Sequence, residues 1–194
     1  GDSLGQQVVV DNRPSAGAIV AATMVAKAEP DGYTMLLTGS GTAVSTTLFK
    51  SLPYDVLKDF AQVSTMGFTE IVVLTGPEAK FNSLADMLAF ARQNPGKLNI
   101  GCNNMGSTQH LAAELFKIMA QVRIQHIPYR GAGPAYTDLL GGQVDLLFAT
   151  AGGVHKFVRS GQIRALALTS ARRVEAYPGI PTVAETLSGY VAEV

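Results

Sequence analysis

Short apolar runs alternate with stretches of helical periodicity along most of the chain. The runs are Gln7 to Val10, Tyr33 to Leu37, Phe60 to Met66, Ile71 to Leu74, Leu98 to Gly101, Arg123 to Tyr129, Val144 to Phe148 and Ile163 to Leu168. Most are nearly continuous in apolar residues rather than alternating, the pattern of strands buried on both faces. Between them, Leu111, Leu115, Ile118 and Met119 recur at helical spacing and give one apolar face. Ser83, with Asp86 three residues on, predicts the start of another helix, which Asn94-Pro95-Gly96 stops. Ala18 to Ala28 reads as helix up to the breaker Glu29-Pro30-Asp31-Gly32, and Ala151 to Ser160 as a further one. Toward the end come a helical turn at Arg172 to Tyr177, a short helix at Thr182 to Leu187 and a strand beginning at Gly189-Tyr190-Val191. This alternation predicts an α/β fold with parallel sheets covered on both faces. Breaks at Gly76-Pro77 and after Leu168 predict two lobes, the first from 1–76 with 169–194, the second from 77–168.

Leu98 to Gly142 carries the densest pattern: strand, glycine-rich loop and helix, twice over. The first loop is Asn103-Asn104-Met105-Gly106-Ser107-Thr108. The second is Gly131-Ala132-Gly133-Pro134, with Pro134 suited to the first helical turn and Gly141-Gly142 to the stop. A third small-residue loop, Thr38-Gly39-Ser40-Gly41-Thr42, also follows an apolar run. Parallel strand-to-helix turns bring helix N-termini to one sheet edge, where free N–H groups and the positive dipole end suit a phosphate or carboxylate. Equally, glycines at such turns serve only to make the turn. Arg130, just before the second loop, suits either an anionic ligand or a structural role.

Composition narrows the chemistry. The 194 residues are 47% hydrophobic, enough for a core, and 15 basic against 15 acidic residues leave no net charge and no basic nucleic-acid footprint. Mean hydropathy is +0.19, and the apolar runs are too short to span a membrane. One cysteine, Cys102, excludes an internal disulfide and reads as a buried small residue. His110, His126 and His155 lack H-x-x-x-H spacing and predict no metal site. His110 is expected two turns down its helix, away from the loop. Asp138 is expected on an exposed helix face and Asp145 at a strand edge. There is no G-x-S-x-G elbow, phosphate-loop lysine or dinucleotide fingerprint. The residues thus favour anion binding, with no catalytic set and no cofactor.

Five long motifs carry a family resemblance: VVVDNRPSAGAIVAATMVAKAEPDGYTMLL, LPYDVLKDFAQVS, NPGKLNIGCNNMGSTQHLAAELF, IPYRGAGPAYTDLLGGQVDLLF and RALALTSARRVEAYPGIPTVAET. Together, and in this order, they resemble the Bug family, the TctC-like solute-binding receptors of tripartite tricarboxylate transporters. The resemblance implies a periplasmic, non-enzymatic receptor of type II periplasmic-binding-protein architecture. Its two α/β lobes would enclose a small carboxylate, a di- or tricarboxylate or a related acid, for delivery to the transporter's membrane components. Carried over by position, Asn104, Gly106, Ser107 and Thr108 would donate to the carboxylate. Gly131, Ala132 and Gly133 would add N–H groups, beside Arg130, and Ser40, Gly41 and Thr42 would face them from the first lobe.

Two departures from the family pattern follow. Relatives start with a further strand, loop and helix before the point matching Gly1 and continue beyond Val194, so the first lobe is expected to be incomplete. The sheet edge this leaves would favour pairing with another chain. Ala149 stands where relatives carry an aspartate, so a plain carboxylate is expected rather than an amino acid. The alternatives are an α/β enzyme acting on a small anionic metabolite and a relative that serves sensing rather than transport.

Overall fold

The computed structural model describes residues 5–103 and 106–193. Its centre is one five-stranded sheet. The strands are β1 (Ile71–Thr75), β2 (Asn99–Asn103), β3 (Gln125–Tyr129), β4 (Leu146–Thr150) and β5 (Arg164–Leu168), in the spatial order β3-β2-β4-β1-β5. Strand β2 runs parallel to β3 and β4. Strand β1 runs antiparallel to both β4 and β5. The sheet is therefore mixed, where the apolar runs predict a parallel one. The two central strands are buried almost throughout, so their sequences, IVVLT and LLFAT, carry no mark of direction.

Helices cover both faces. They are α1 (Ile19–Ala26), α2 (Ser40–Leu48), α3 (Leu84–Gln93), α4 (Thr108–Ala120), α5 (Ala132–Leu140) and α6 (Ala151–Arg159). Helix α3 starts where the sequence predicts: Ser83 Oγ accepts the Asp86 N–H at 3.1 Å. Its buried residues Leu84, Met87, Leu88 and Ala91 fall at i, i+3, i+4 and i+7. They join Ala113 and Phe116 of α4 over Ile71, Val73, Ile100, Leu146 and Phe148 of the sheet. On the other face, Val72, Leu74, Leu147 and Ala149 pack against Leu139 of α5 and Val154 of α6. Alternate residues of β1 and β4 thus feed two separate cores, as the strand period requires.

The sheet includes Ile71–Thr75, which lies ahead of the predicted boundary at Gly76-Pro77. The segment after β5 packs on the same sheet: Thr169 N–H donates to the Ile71 carbonyl at 2.9 Å, and buried Tyr190 donates its hydroxyl to the Ala112 carbonyl at 2.9 Å. Within Arg172 to Tyr177 there is a single turn, Tyr177 N–H donating to the Val174 carbonyl at 3.1 Å, Gly189 to Val191 forms no strand, and Thr182 to Leu187 shortens to a 3-10 turn at Val183–Glu185.

Three other predicted strands, Gln7 to Val10, Tyr33 to Leu37 and Phe60 to Met66, form no strand. Val9, Tyr33, Leu37 and Val63 are each at least 78% exposed. A strand exists through its neighbour, and among the described residues these segments have none. Helix α2, in contrast, runs nine residues where only a turn or two is expected.

Candidate functional site

Strands β2, β3 and β4 are parallel, so α4, α5 and α6, which follow them, begin at one edge of the sheet. Helix α5 starts from Gly131, whose φ of 114° leaves the L-residue range, and α6 from Thr150. Neither has a side-chain cap; at α6 the first N–H, that of Ala151, goes to the Glu70 carbonyl at 2.8 Å. In α4, Ser107 is the cap: its Oγ accepts the His110 N–H at 3.2 Å. The Gly106 turn before it has φ +80°, and an added Cβ would lie 2.5 Å from Leu48 Cδ2. The left-handed φ favours glycine here, and any side chain would press on Leu48 at the end of α2.

That approach brings a fourth N-terminus to the site. Ser40, the first residue of α2, shares a 2.7 Å hydroxyl–hydroxyl bond with Thr108, the first of α4. Helix α2 has no side-chain cap either. Gly41 faces the Gly106 carbonyl, 3.7 Å from an added Cβ. The positive ends of α2 and α4 therefore meet, an arrangement that an anion between them relieves.

The other predicted site residues divide. Gly131, Ala132 and Gly133 form the start of α5. Arg130 lies exposed at the β3–α5 turn and has no ion pair among the described residues. Thr42 is buried, its hydroxyl bonded to that of Thr38. Ala149 is 1% exposed, its methyl packed among Val72, Leu74 and Leu139 rather than at the edge. Its neighbour Thr150, which the sequence reading passed over, is the residue at the α6 start. A hydroxyl directly ahead of a helix was the available signal. Asn104 lies outside the described residues.

Polar side chains at both ends of these strands fix their neighbours. Tyr129 Oη donates to Asp138 Oδ2 at 2.7 Å and ties β3 to α5. Burial first, then this bond and the Asp138 charge, push the Tyr129 phenol up to about 12. Asp138 is thus half-buried and engaged rather than on an exposed face. Asp145 matches its expected place: Oδ2 accepts the Asn99 N–H at 2.9 Å and its own N–H returns to Asn99 Oδ1 at 2.9 Å, joining the starts of β2 and β4. Glu70, just ahead of β1, accepts the Ala151 N–H on its carbonyl at 2.8 Å.

His110 is the main correction. It is the third residue of α4, in the first turn, and its Nδ1 accepts the Gly106 N–H at 3.1 Å. Beside it lie Glu114 and, from β3, His126: Glu114 Oε1 is 3.9 Å from His110 Nε2 and 3.4 Å from His126 Nε2. One ligand atom from each of the three falls within 4.8 Å of the others, so residue types and spacing would admit a metal ion. Two observations oppose one. His110 Nδ1 receives a hydrogen bond, so the neutral ring carries its proton on Nε2, the nitrogen a metal would need. Lys117 Nζ already sits 2.9 Å from Glu114 Oε1. Cys102 is buried, and burial pushes its thiol up, away from a reactive thiolate.

A mixed sheet covered by helices on both faces, with helix N-termini gathered at one edge, is a type II periplasmic-binding-protein-like α/β fold, the fold of the solved structures it superposes on. All 194 residues match the family model of the tripartite tricarboxylate transporter family receptor, TctC. The chain belongs to this family. Protein BugT of Bordetella pertussis is 42% identical over 186 residues, covering 95% of this chain and 57% of BugT. Among solved structures, R. palustris Rpa4515 with adipate superposes with a TM-score of 0.94 at 34% identity, covering 99% of this chain and 65% of that one. MatC from Rhodopseudomonas palustris with bound malate gives a TM-score of 0.89 at 27% identity, covering 99% and 66%. The chain thus spans somewhat over half the length of the relatives it matches.

Proposed function

We propose that this chain forms the carboxylate-gripping part of a periplasmic solute-binding receptor. The receptor captures a small organic acid, a di- or tricarboxylate, in an interlobe cleft and presents it to the membrane components of a tripartite tricarboxylate transporter. It performs no chemistry on the acid. The observation that carries this reading is the meeting of α2 and α4 at the Ser40–Thr108 contact, with the uncapped starts of α5 and α6 along the same edge. Hydrogen bonds to a charged acceptor contribute about 1.5–3 kcal/mol each. Three or four of them offset much of a carboxylate's desolvation without a buried cation. Family membership and the acids bound by Rpa4515 and MatC support the ligand class. The described helices include none long and apolar enough to cross a membrane.

The test is a thermal-shift panel of mono-, di- and tricarboxylates on the full-length protein. Binding to the native state raises the melting temperature by mass action. A shift confined to acids of one chain length supports the receptor. Absence of any shift across the panel, or consumption of the acid, contradicts it.

A further inference from the structure

The sequence reading sets His110 aside, yet the structure seats it directly behind the Gly106 turn. We infer that His110 is a positioning residue of the carboxylate site, its unprotonated Nδ1 holding the Gly106 amide and, through it, the start of α4. This inference rests on the carboxylate reading above.

The geometry ties three elements together. Gly106 donates its N–H to His110 Nδ1 at 3.1 Å, while the His110 N–H donates to Ser107 Oγ at 3.2 Å. The turn and the first helical residues therefore hold each other. Gly106 has the left-handed φ of +80° and bears against Leu48, so the turn needs a fixed anchor. The remaining question is what keeps the lone pair on Nδ1. Glu114 lies on the Nε2 side, its Oε1 3.9 Å away, and favours the proton there. His126 packs edge-to-face on His110, ring centroids 4.9 Å apart at 73°. Both ring nitrogens of His126 are buried without a hydrogen-bond partner among the described residues. It shields the Nε2 side from water, 3.4 Å from the same Glu114 oxygen. Lys117, from one turn further along α4, holds Glu114 in place at 2.9 Å. The Cys102 thiol on β2 completes the surroundings as a buried, neutral group. Burial lowers the affinity of both histidines for a second proton, Glu114 opposing it and Lys117 adding to it, so both rings are neutral at pH 7. A proton arriving on His110 Nδ1 would face the Gly106 N–H donor to donor and release the turn.

Ring-nitrogen NMR on the isotopically labelled full-length protein tests this without any ligand. The expected result is a protonated Nε2 and a bare Nδ1 on His110, with slow exchange of the Gly106 amide. A protonated Nδ1 overturns the inference. Variants then separate positioning from packing, with adipate and malate as probes. The Asn amide oxygen of His110→Asn reaches the place of Nδ1, whereas that of His110→Gln reaches toward Nε2. H110N is expected to bind within about threefold of wild type, and H110Q to lose about tenfold or more, the loss of one charge-assisted contact. As pH falls from 7 toward 4, wild-type affinity should drop faster than that of H110N, which cannot titrate. Equal affinity of H110Q and wild type, or parallel pH profiles of wild type and H110N, overturns the inference. So does stabilisation by Zn2+ alone that His126→Ala abolishes. If wild type binds neither acid nor any other in the panel, the carboxylate reading fails, and the NMR result still decides whether His110 holds the turn.

Discussion

Replacing Gly106 with alanine separates the turn's geometry from the hydroxyls around it. A left-handed φ costs an L-residue about 1–2 kcal/mol. The new methyl would lie 2.5 Å from Leu48 Cδ2, and Leu48 is 48% exposed, so it can rotate aside. That off-rotamer shift adds about 0.5 kcal/mol. The expected loss is therefore about 1.5–2.5 kcal/mol, a fall of a few degrees in melting temperature for a chain of this size. Part of the strain is relieved by moving the turn, which draws the Gly106 amide from His110 and Thr108 from Ser40. Acid affinity should fall about tenfold, the equivalent of one hydrogen bond. Gly96→Ala is the matched control. Its φ is +76° with nothing within 4 Å of an added Cβ, and it lies between α3 and β2, outside the site. It should cost similar stability and leave affinity unchanged. Differential scanning fluorimetry and isothermal titration calorimetry on both variants decide the matter. If G106A loses no more affinity than G96A, the turn does not position the site.

The remaining expectations concern stability. Phe116→Ala removes a fully buried ring in contact with Phe148 and Tyr190; chemical denaturation should show a loss of about 3–5 kcal/mol. Ser83→Ala removes the α3 cap and should cost about 1 kcal/mol by the same assay. His126 is pushed down to about 4, by burial first and by Lys117 next. A lowered histidine pKa gives a contribution that is complete above the unfolded value of about 6.5 and is lost as pH falls toward 4. The shift corresponds to about 3 kcal/mol. Urea midpoints measured across this window should fall with pH, and in His126→Phe the slope should flatten.

Legibility followed the physics of each feature. The strands buried on both faces stand out as unbroken apolar runs, as at Ile71–Thr75 and Leu146–Thr150. The Ser83 cap and the Asn94-Pro95-Gly96 stop act through their own backbone, so local sequence suffices. The reversed direction of β1 does not show, because an apolar run reads the same both ways. Gln7 to Val10 and Tyr33 to Leu37 have strand composition but, among the described residues, no strand to pair with, and pairing is not written in the segment itself. At the site, glycines and hydroxyls at Gly106-Ser107-Thr108 and Gly131-Ala132-Gly133 are visible as turn chemistry. The place of His110 is not legible in the sequence because it depends on where α4 begins: at Thr108 it falls in the first turn, not two turns down. The partner of Asp138, the Tyr129 hydroxyl, lies across a turn nine residues upstream, beyond any periodicity argument. Thr42 and Ala149 show the opposite limit: position along the chain points both to the site, while the structure buries the Thr42 hydroxyl against Thr38 and the Ala149 methyl in the core.

A carboxylate held where α2 meets α4 would take hydrogen bonds from both helix starts. The most direct measurement is calorimetric titration of the full-length protein with adipate, malate and their longer and shorter homologues, beside Ser40→Ala and Thr108→Val. These two substitutions remove the hydroxyls of the 2.7 Å contact with little change in volume. Wild type should bind at least one acid, and each variant should lose roughly tenfold or more at nearly unchanged melting temperature. Binding undiminished by both substitutions would place the acid elsewhere and contradict a site at the meeting of α2 and α4.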